Sequence, residues 1–143
     1  MKALVVYEGS TEKVAQAICS GLKQSGLGDV ECKAVGNVSI SDLQKADHWV
    51  VGGPSSGFFA GRKVQGLLRK SIGTNGKHSA VVFDTRLAGS SSGMAEKLAA
   101  IVKGGNINLT SSTYFSLGPN KVLMDGEENL AVVYGRNLAG LLK

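Results

Sequence analysis

The stretch KALVVYEGSTEKVAQAICSGLKQSG, residues 2–26, changes its hydrophobic period partway along. Ala3 to Tyr7 form a continuous apolar run rich in valine, the pattern of a strand covered on both faces in a parallel sheet. Glu8-Gly9-Ser10 interrupts it. From Thr11 to Ser25 the apolar residues Val14, Ala15, Ile18 and Leu22 recur at three and four, which is one face of a helix. Ser10 or Thr11 is the expected N-cap, and Gly26 and Gly28 the stop. A buried strand that enters a helix through so short a turn is the first half of a βαβ unit.

The same alternation continues along the chain. Asp29–Val35 alternates and reads as an edge strand, and Ser41–Asp47 as a short helix capped by Ser39 or Ser41. His48–Gly52 (HWVVG) and Ser79–Asp84 (SAVVFD) are two more buried strands, and Thr110–Ser116 (TSSTYFS) is the last. Helices are predicted over Arg62–Lys70 and Met94–Lys103. A final one follows the polar stretch Leu117–Asn129, with Leu130, Val133, Tyr134, Leu138, Leu141 and Leu142 on its apolar face. Strand–helix alternation requires parallel pairing with crossovers. The expected architecture is therefore α/β: one domain spanning residues 1–143, a doubly wound five-stranded parallel sheet of order 2-1-3-4-5 with helices on both faces.

Composition narrows the function classes. The 143 residues are 43 % hydrophobic and 19 % charged, enough for a core and too apolar for disorder. The formal net charge is +5, but no Lys/Arg run exceeds two, and no basic stripe or aromatic platform for nucleic acid is present. No run approaches the length of a membrane span or a signal peptide, so a cytoplasmic protein is expected. Cys19 and Cys32 lack C-x-x-C spacing and read as reduced packing residues. His48 and His78 read as structural or solvated, and no metal-ligand spacing or nucleophile–His–acid set appears.

Ligands of open α/β sheets bind beyond the carboxyl ends of the strands, where the strand order reverses. Three loops rich in small residues meet there: Glu8–Glu12, Gly53–Gly61 (GPSSGFFAG) and Thr85–Gly93. Small residues bring backbone amides close to a ligand, and helix N-termini add partial positive charge. One of Phe58 and Phe59 can stack on a planar ring, or one packs inward while the other covers the sheet edge. Arg86 pairs either with an anionic ligand or with Asp84 or Glu8.

KALVVYEGSTEKVAQAICSGL resembles the opening of flavodoxins, in which a strand runs into a phosphate loop and then a helix beginning Thr-Glu-x-Val-Ala. VVGGPSSGFF resembles the second flavin loop of that family. VVFDTRLAGSSSGMAEKLA, STYFSLG and EENLAVVYGRNLA resemble a branch of small microbial flavodoxin-like proteins. The resemblance implies a flavodoxin-like fold, FMN as cofactor, and one- or two-electron transfer with a redox partner protein rather than catalysis on a substrate of its own. Carried onto this sequence, Gly9, Ser10, Thr11 and Glu12 would meet the phosphate. Pro54, Ser55, Ser56, Gly57, Phe58 and Phe59 would flank the ring, and Thr85, Arg86, Leu87 and Gly89 would close its other side. The first loop is shorter than the family's by about three residues, which thins the nest of amides around a phosphate. At roughly 1.5–3 kcal/mol per lost bond to a charged group, nanomolar affinity falls to micromolar or weaker. The alternative is a binding or regulatory module on the same fold that has lost the flavin. A phospho-receiver domain is excluded, because the acidic pair, the aspartate and the lysine that its chemistry needs are absent.

Overall fold

In the computed structural model, which describes residues 2–57, 59–73, 76–105 and 107–142, strands and helices alternate from start to finish. They are β1 (Lys2–Tyr7), α1 (Glu12–Gln24), β2 (Asp29–Ala34), α2 (Ile40–Lys45), β3 (His48–Pro54), α3 (Arg62–Ser71), β4 (Ser79–Leu87), α4 (Met94–Lys103), β5 (Asn108–Leu117) and α5 (Glu127–Leu142). The strands form one parallel sheet in the order β2-β1-β3-β4-β5, as the alternation predicts.

The valine-rich runs are continuous because both faces of the sheet are covered, and the two-residue period of a strand sorts them. Ala3, Val5, Val50, Val81 and Phe83 point to the side of α1 and α5 and pack with Ile18, Leu22 and Leu138. Leu4, Val6, Trp49, Val51 and Val82 point to the other side, against Leu43, Val64, Leu68 and Leu98. On the first side α1 and α5 meet at Gly21 and Gly135. A Cβ on Gly21 would collide with the Val132 carbonyl, and one on Gly135 with that of Ile18. Two facing glycines thus let the helix backbones touch.

Several predicted boundaries shift, each for a local reason. β3 continues through Gly53 and Pro54, and β4 through Thr85, Arg86 and Leu87, so the predicted loops there start later. β4 can run on because Arg86, a residue that normally ends a buried strand, is neutralised by Asp84 on the same face. Helix α5 starts at Glu127, and its Leu130 and Leu141 stand 55 % and 63 % exposed, so they leave the predicted apolar face. Helix α1 is preceded by a 3-10 turn over Gly9–Thr11. Thr11 occupies the N-cap position without capping: its hydroxyl donates back to the Glu8 carbonyl at 2.8 Å. Ser39 caps α2, accepting from the Asp42 amide at 3.1 Å while the Asp42 carboxylate accepts from the Ser39 amide at 2.9 Å.

Both histidines lie at the end of the sheet remote from the strands' carboxyl ends. His48 Nδ1 pairs with Ser79 Oγ at 2.6 Å, and His78 Nδ1 pairs with the Ala46 carbonyl at 2.7 Å and stacks on Trp49.

Candidate functional site at the carboxyl rim of the sheet

The strand order reverses between β1 and β3, and the helices that follow β1, β3 and β4 begin at the rim above this reversal. Each helix start carries amides with no partner inside the helix and a partial positive charge. What the chain supplies to each of the three ends differs.

At α4 the amides are taken by three side chains from three segments. Gly93 N donates to Glu96 Oε2 at 3.2 Å, Met94 N to Ser55 Oγ at 2.9 Å, and Ala95 N to Asp84 Oδ2 at 2.7 Å. Asp84 also accepts both Arg86 Nε at 3.0 Å and Arg86 Nη2 at 2.6 Å, and the same Nη2 reaches Glu96 Oε2 at 2.8 Å. The guanidinium lies 4.1 Å from the centroid of the Tyr114 ring. Asp84 and Arg86 are almost wholly buried. The hydrogen bonds that Arg86 donates to Asp84 raise the Arg86 pKa further, and the one it donates to Glu96 holds that carboxyl below its ordinary range. Gly93 sits against this cluster: a Cβ there would lie 2.7 Å from Asp84 Oδ2 and 3.0 Å from Arg86 Nε.

At α3 the cap residue is Gly61, in the left-handed region and without a side chain to offer. Glu8 replaces it from the loop after β1: Glu8 Oε1 accepts from Val64 N at 2.8 Å. A carboxylate at this end also complements the helix dipole.

At α1 no side chain caps the helix: Thr11 N donates to the Glu8 carbonyl at 3.4 Å and Glu12 N to that of Gly9, within the 3-10 turn. Gly9 takes a φ of +57°, which lets the chain turn from β1 into the 3-10 turn. Gly9, Ser10, Glu12 and Lys13 are exposed, and with Gln16 and Glu128 they line a shallow cavity of about 500 Å³. Thr11 is buried beneath them, its hydroxyl engaged with Glu8.

Above β3 and β4 the second and third loops face one another. Pro54 ends β3 beside Thr85, and Ser55 N donates to the Thr85 carbonyl at 3.0 Å. Ser55 and Ser56 are half-buried and Gly57 is exposed. Phe59 is 64 % exposed, with the Arg62 guanidinium 5.4 Å from its ring centroid. Phe58 lies outside the described residues. Leu87 and Gly89 are exposed, and Leu87 lines an apolar hollow of about 270 Å³ with Ala88, Leu117, Pro119 and Met124. Thr85 Oγ1 is buried and has no hydrogen-bond partner among the described residues.

The rim therefore brings together the three predicted loops but gives their residues different tasks. Gly9, Ser10 and Glu12 present an exposed helix start, whereas the Thr11 hydroxyl and the Arg86 guanidinium are already engaged within the protein. Of the two options for Arg86, the pairing with Asp84 is the one formed. Glu96 and Tyr114 are not among the sequence-predicted residues, and Glu8, a candidate partner for Arg86, instead caps α3. Glu96 had a visible signal, an acidic residue in the first turn of a helix. Asp84 and Arg86 are two apart on a strand and hence share a face. The reach of Glu8 to Val64 joins positions 56 apart and has no local signature.

No protein-family model matches this sequence, and no curated protein matches it. Solved structures do. A flavodoxin from the domain Archaea superposes with a TM-score of 0.73 at 19 % identity, covering 99 % of both chains. The flavodoxin of Streptococcus pneumoniae gives 0.75 at 18 %, covering 99 % of this chain and 97 % of that one. Flavodoxin 1 from Bacillus cereus gives 0.77 at 11 %, covering 98 % of each. The rubredoxin:oxygen oxidoreductase of Desulfovibrio gigas matches over 99 % of this chain, which spans only 36 % of that longer protein. At such identities the likeness establishes the fold, and the fold is flavodoxin-like.

Proposed function

We propose that this protein binds FMN weakly at the carboxyl rim of its sheet and serves as an electron-transfer module. The carrying observation is the inequality of the three helix starts. The starts of α3 and α4 take side-chain caps from Glu8, Asp84, Glu96 and Ser55, whereas α1, entered through a 3-10 turn that uses the Thr11 and Glu12 amides, takes no side-chain cap and borders a cavity that can receive an anion. The flavodoxin-like fold and the exposed Phe59 in the loop after β3 support the same reading. So does the orphaned hydroxyl of Thr85, a buried donor awaiting an acceptor.

On this reading Gly9, Ser10 and Lys13 hold the phosphate through the Gly9 and Ser10 amides, the Ser10 hydroxyl and the Lys13 ammonium, beside Glu12, whose own amide is used within the 3-10 turn. Ser55, Ser56, Gly57 and Phe59 flank one side of the ring, and Leu87 and Gly89 the other. The flavin supplies one- or two-electron redox chemistry when bound. The protein orients it and sets the charge around it. Thr11 fixes the turn from beneath, and the Asp84–Arg86–Glu96 cluster holds the third loop rigid without offering a free charge to the ligand. Glu8 places a negative charge one residue from the phosphate position, so the grip on a dianion is weak. The net charge of +5 suits an acidic redox partner.

Titration of the purified protein with FMN, followed by quenching of flavin fluorescence, tests the proposal. The expected dissociation constant is micromolar or weaker, on the order of 1–100 µM. Riboflavin, which lacks the phosphate, should bind within about tenfold of FMN, because the phosphate contributes little. Absence of quenching with excess protein would leave the fold as a binding or regulatory module without flavin.

A further inference from the structure

On the face of the sheet away from α1, a groove of about 430 Å³ runs between the segment after β2 and helix α3. Its floor is apolar: Val35, Val38 and Leu67 are each half-buried against the core beneath. Its rim is basic. Arg62, Lys63 and Lys70 are exposed there, and no Asp or Glu is among the described residues that line the groove. None of the three cations forms an ion pair with a described residue. Helix α3 as a whole (RKVQGLLRKS) carries four cations and no acidic residue. Two of the four stand in its first turn, at the positive end of the helix dipole, where a cation costs stability. Glu8, the carboxylate at that helix start, is engaged by the Val64 amide.

The groove also holds two glycines that the fold does not require. Gly66 lies in the middle of α3, where only proline is a poorer helix former, and Gly36 lies in the 3-10 turn Val35–Asn37. Neither takes a positive φ, and a Cβ on either would meet no atom within 4 Å. Neither backbone conformation nor internal packing accounts for them; what they leave is room for another chain to approach the backbone closely. Lys63, Gly66, Leu67 and Lys70 share one helix face. The two lysines therefore stand about 10 Å apart along the axis, which an extended chain spans in about three residues.

We propose that this groove docks an extended acidic segment of a partner protein, with carboxylates on Lys63 and Lys70 and an aliphatic side chain between them on the apolar floor. The basic rim selects the anion, and the floor selects an apolar residue within it. No aromatic ring lines the groove among the described residues, so nothing there stacks on a nucleotide base. The groove adjoins the loop that carries Phe59, whose ring lies beside Arg62, so a docked partner would sit next to the proposed flavin site. Docking itself needs no flavin. It is read on flavin-free protein and can fail apart from FMN binding.

The test is fluorescence anisotropy of a fluorescein-labelled peptide, Gly-Glu-Glu-Leu-Glu-Glu-Gly, titrated with the full-length protein. Its glutamine counterpart is the neutral control. The expected dissociation constant is on the order of 10–100 µM at low salt, weakening about tenfold or more at about 0.5 M salt. Lys63→Glu should weaken binding about tenfold, yet leave the urea midpoint unchanged or higher, because it places an acid where the helix dipole favours one. Lys97→Glu on α4, an equal change in net charge outside the groove, should alter binding less than about twofold. Gly66→Ala should raise the urea midpoint, and Gly66→Leu, which fills the open space, should weaken binding about fivefold or more. Four results would overturn the proposal: no anisotropy change at high protein concentration, equal binding of the glutamine peptide, equal loss in Lys97→Glu and Lys63→Glu, or co-sedimentation with phosphatidylserine vesicles in place of peptide binding. Should Gly66→Leu fail to fold, as judged by circular dichroism, the lysine variants and the salt dependence decide alone.

Discussion

The start of α4 and the start of α1 lie on the same rim, follow equivalent strands, and carry the same partial charge, yet the chain treats them in opposite ways. At α4 three successive amides meet Glu96, Ser55 and Asp84, and a buried guanidinium ties the two carboxylates together. At α1 the side chain that stands nearest in sequence, Glu8, turns away to serve α3, and the Thr11 hydroxyl folds back on the turn. The lesson is that helix starts become anion sites only when the protein refrains from satisfying them. Sequence resemblance treats the three loops as equal contributors. The geometry ranks them.

Removing the charge that closes α4 should have the largest effect. Asp84→Ala strips the Ala95 amide and leaves Arg86 buried beside a partly exposed Glu96. Unfolding in urea should show a loss of about 3–5 kcal/mol. A loss under about 1 kcal/mol would mean that this end is not held by the cluster. Next comes Glu8→Gln, which keeps an acceptor for the Val64 amide but removes the charge beside α1. FMN affinity should rise about three- to tenfold with stability changed by less than about 0.5 kcal/mol. Unchanged affinity would place the phosphate elsewhere. A smaller change is expected from Lys13→Ala, which should weaken FMN about two- to threefold at low ionic strength and have no effect at about 1 M salt, whereas Lys63→Ala at the filled start of α3 should leave binding unaltered. The smallest signal is in acid. The folded state holds the Glu96 pKa below its usual value, through Arg86 first. The resulting stabilisation is full above the unfolded value near 4.5 and is lost as pH falls through the depressed folded value. Because the Glu96 side chain is 51 % exposed, solvent screening limits this to a few tenths of a kcal/mol, and Glu96→Gln should flatten the acid limb of the stability curve by that amount.

The architecture was legible because it rests on local period. KALVVY, HWVVG and SAVVF announce strands covered on both faces, and β1 and α4 have the predicted boundaries. The errors cluster where a polar residue is buried with its partner. Thr85, Arg86 and Leu87 look like a loop until Asp84 is seen to neutralise Arg86 within the strand. The rim was legible as a meeting of three loops, and the tasks of their residues were not. Which hydroxyls and charges are engaged internally depends on contacts between distant segments, such as Glu8 with Val64 or Ser55 with Met94. The cysteines illustrate the same limit. Well apart in sequence, both lie in the packing layer between α1 and the sheet.

The contact of Gly21 with Gly135 has a consequence for how the chain is made. Helix α1 emerges from the ribosome well before α5, yet the part of its buried face around Gly21 waits for that later helix. Until then Ile18 and Leu22 have no cover on that side, and the nascent sheet presents an oily flank to its surroundings. A ribosome stalled before Gly135 should therefore hold a species that recruits chaperones, and native protease resistance should arrive in one step once α5 has docked.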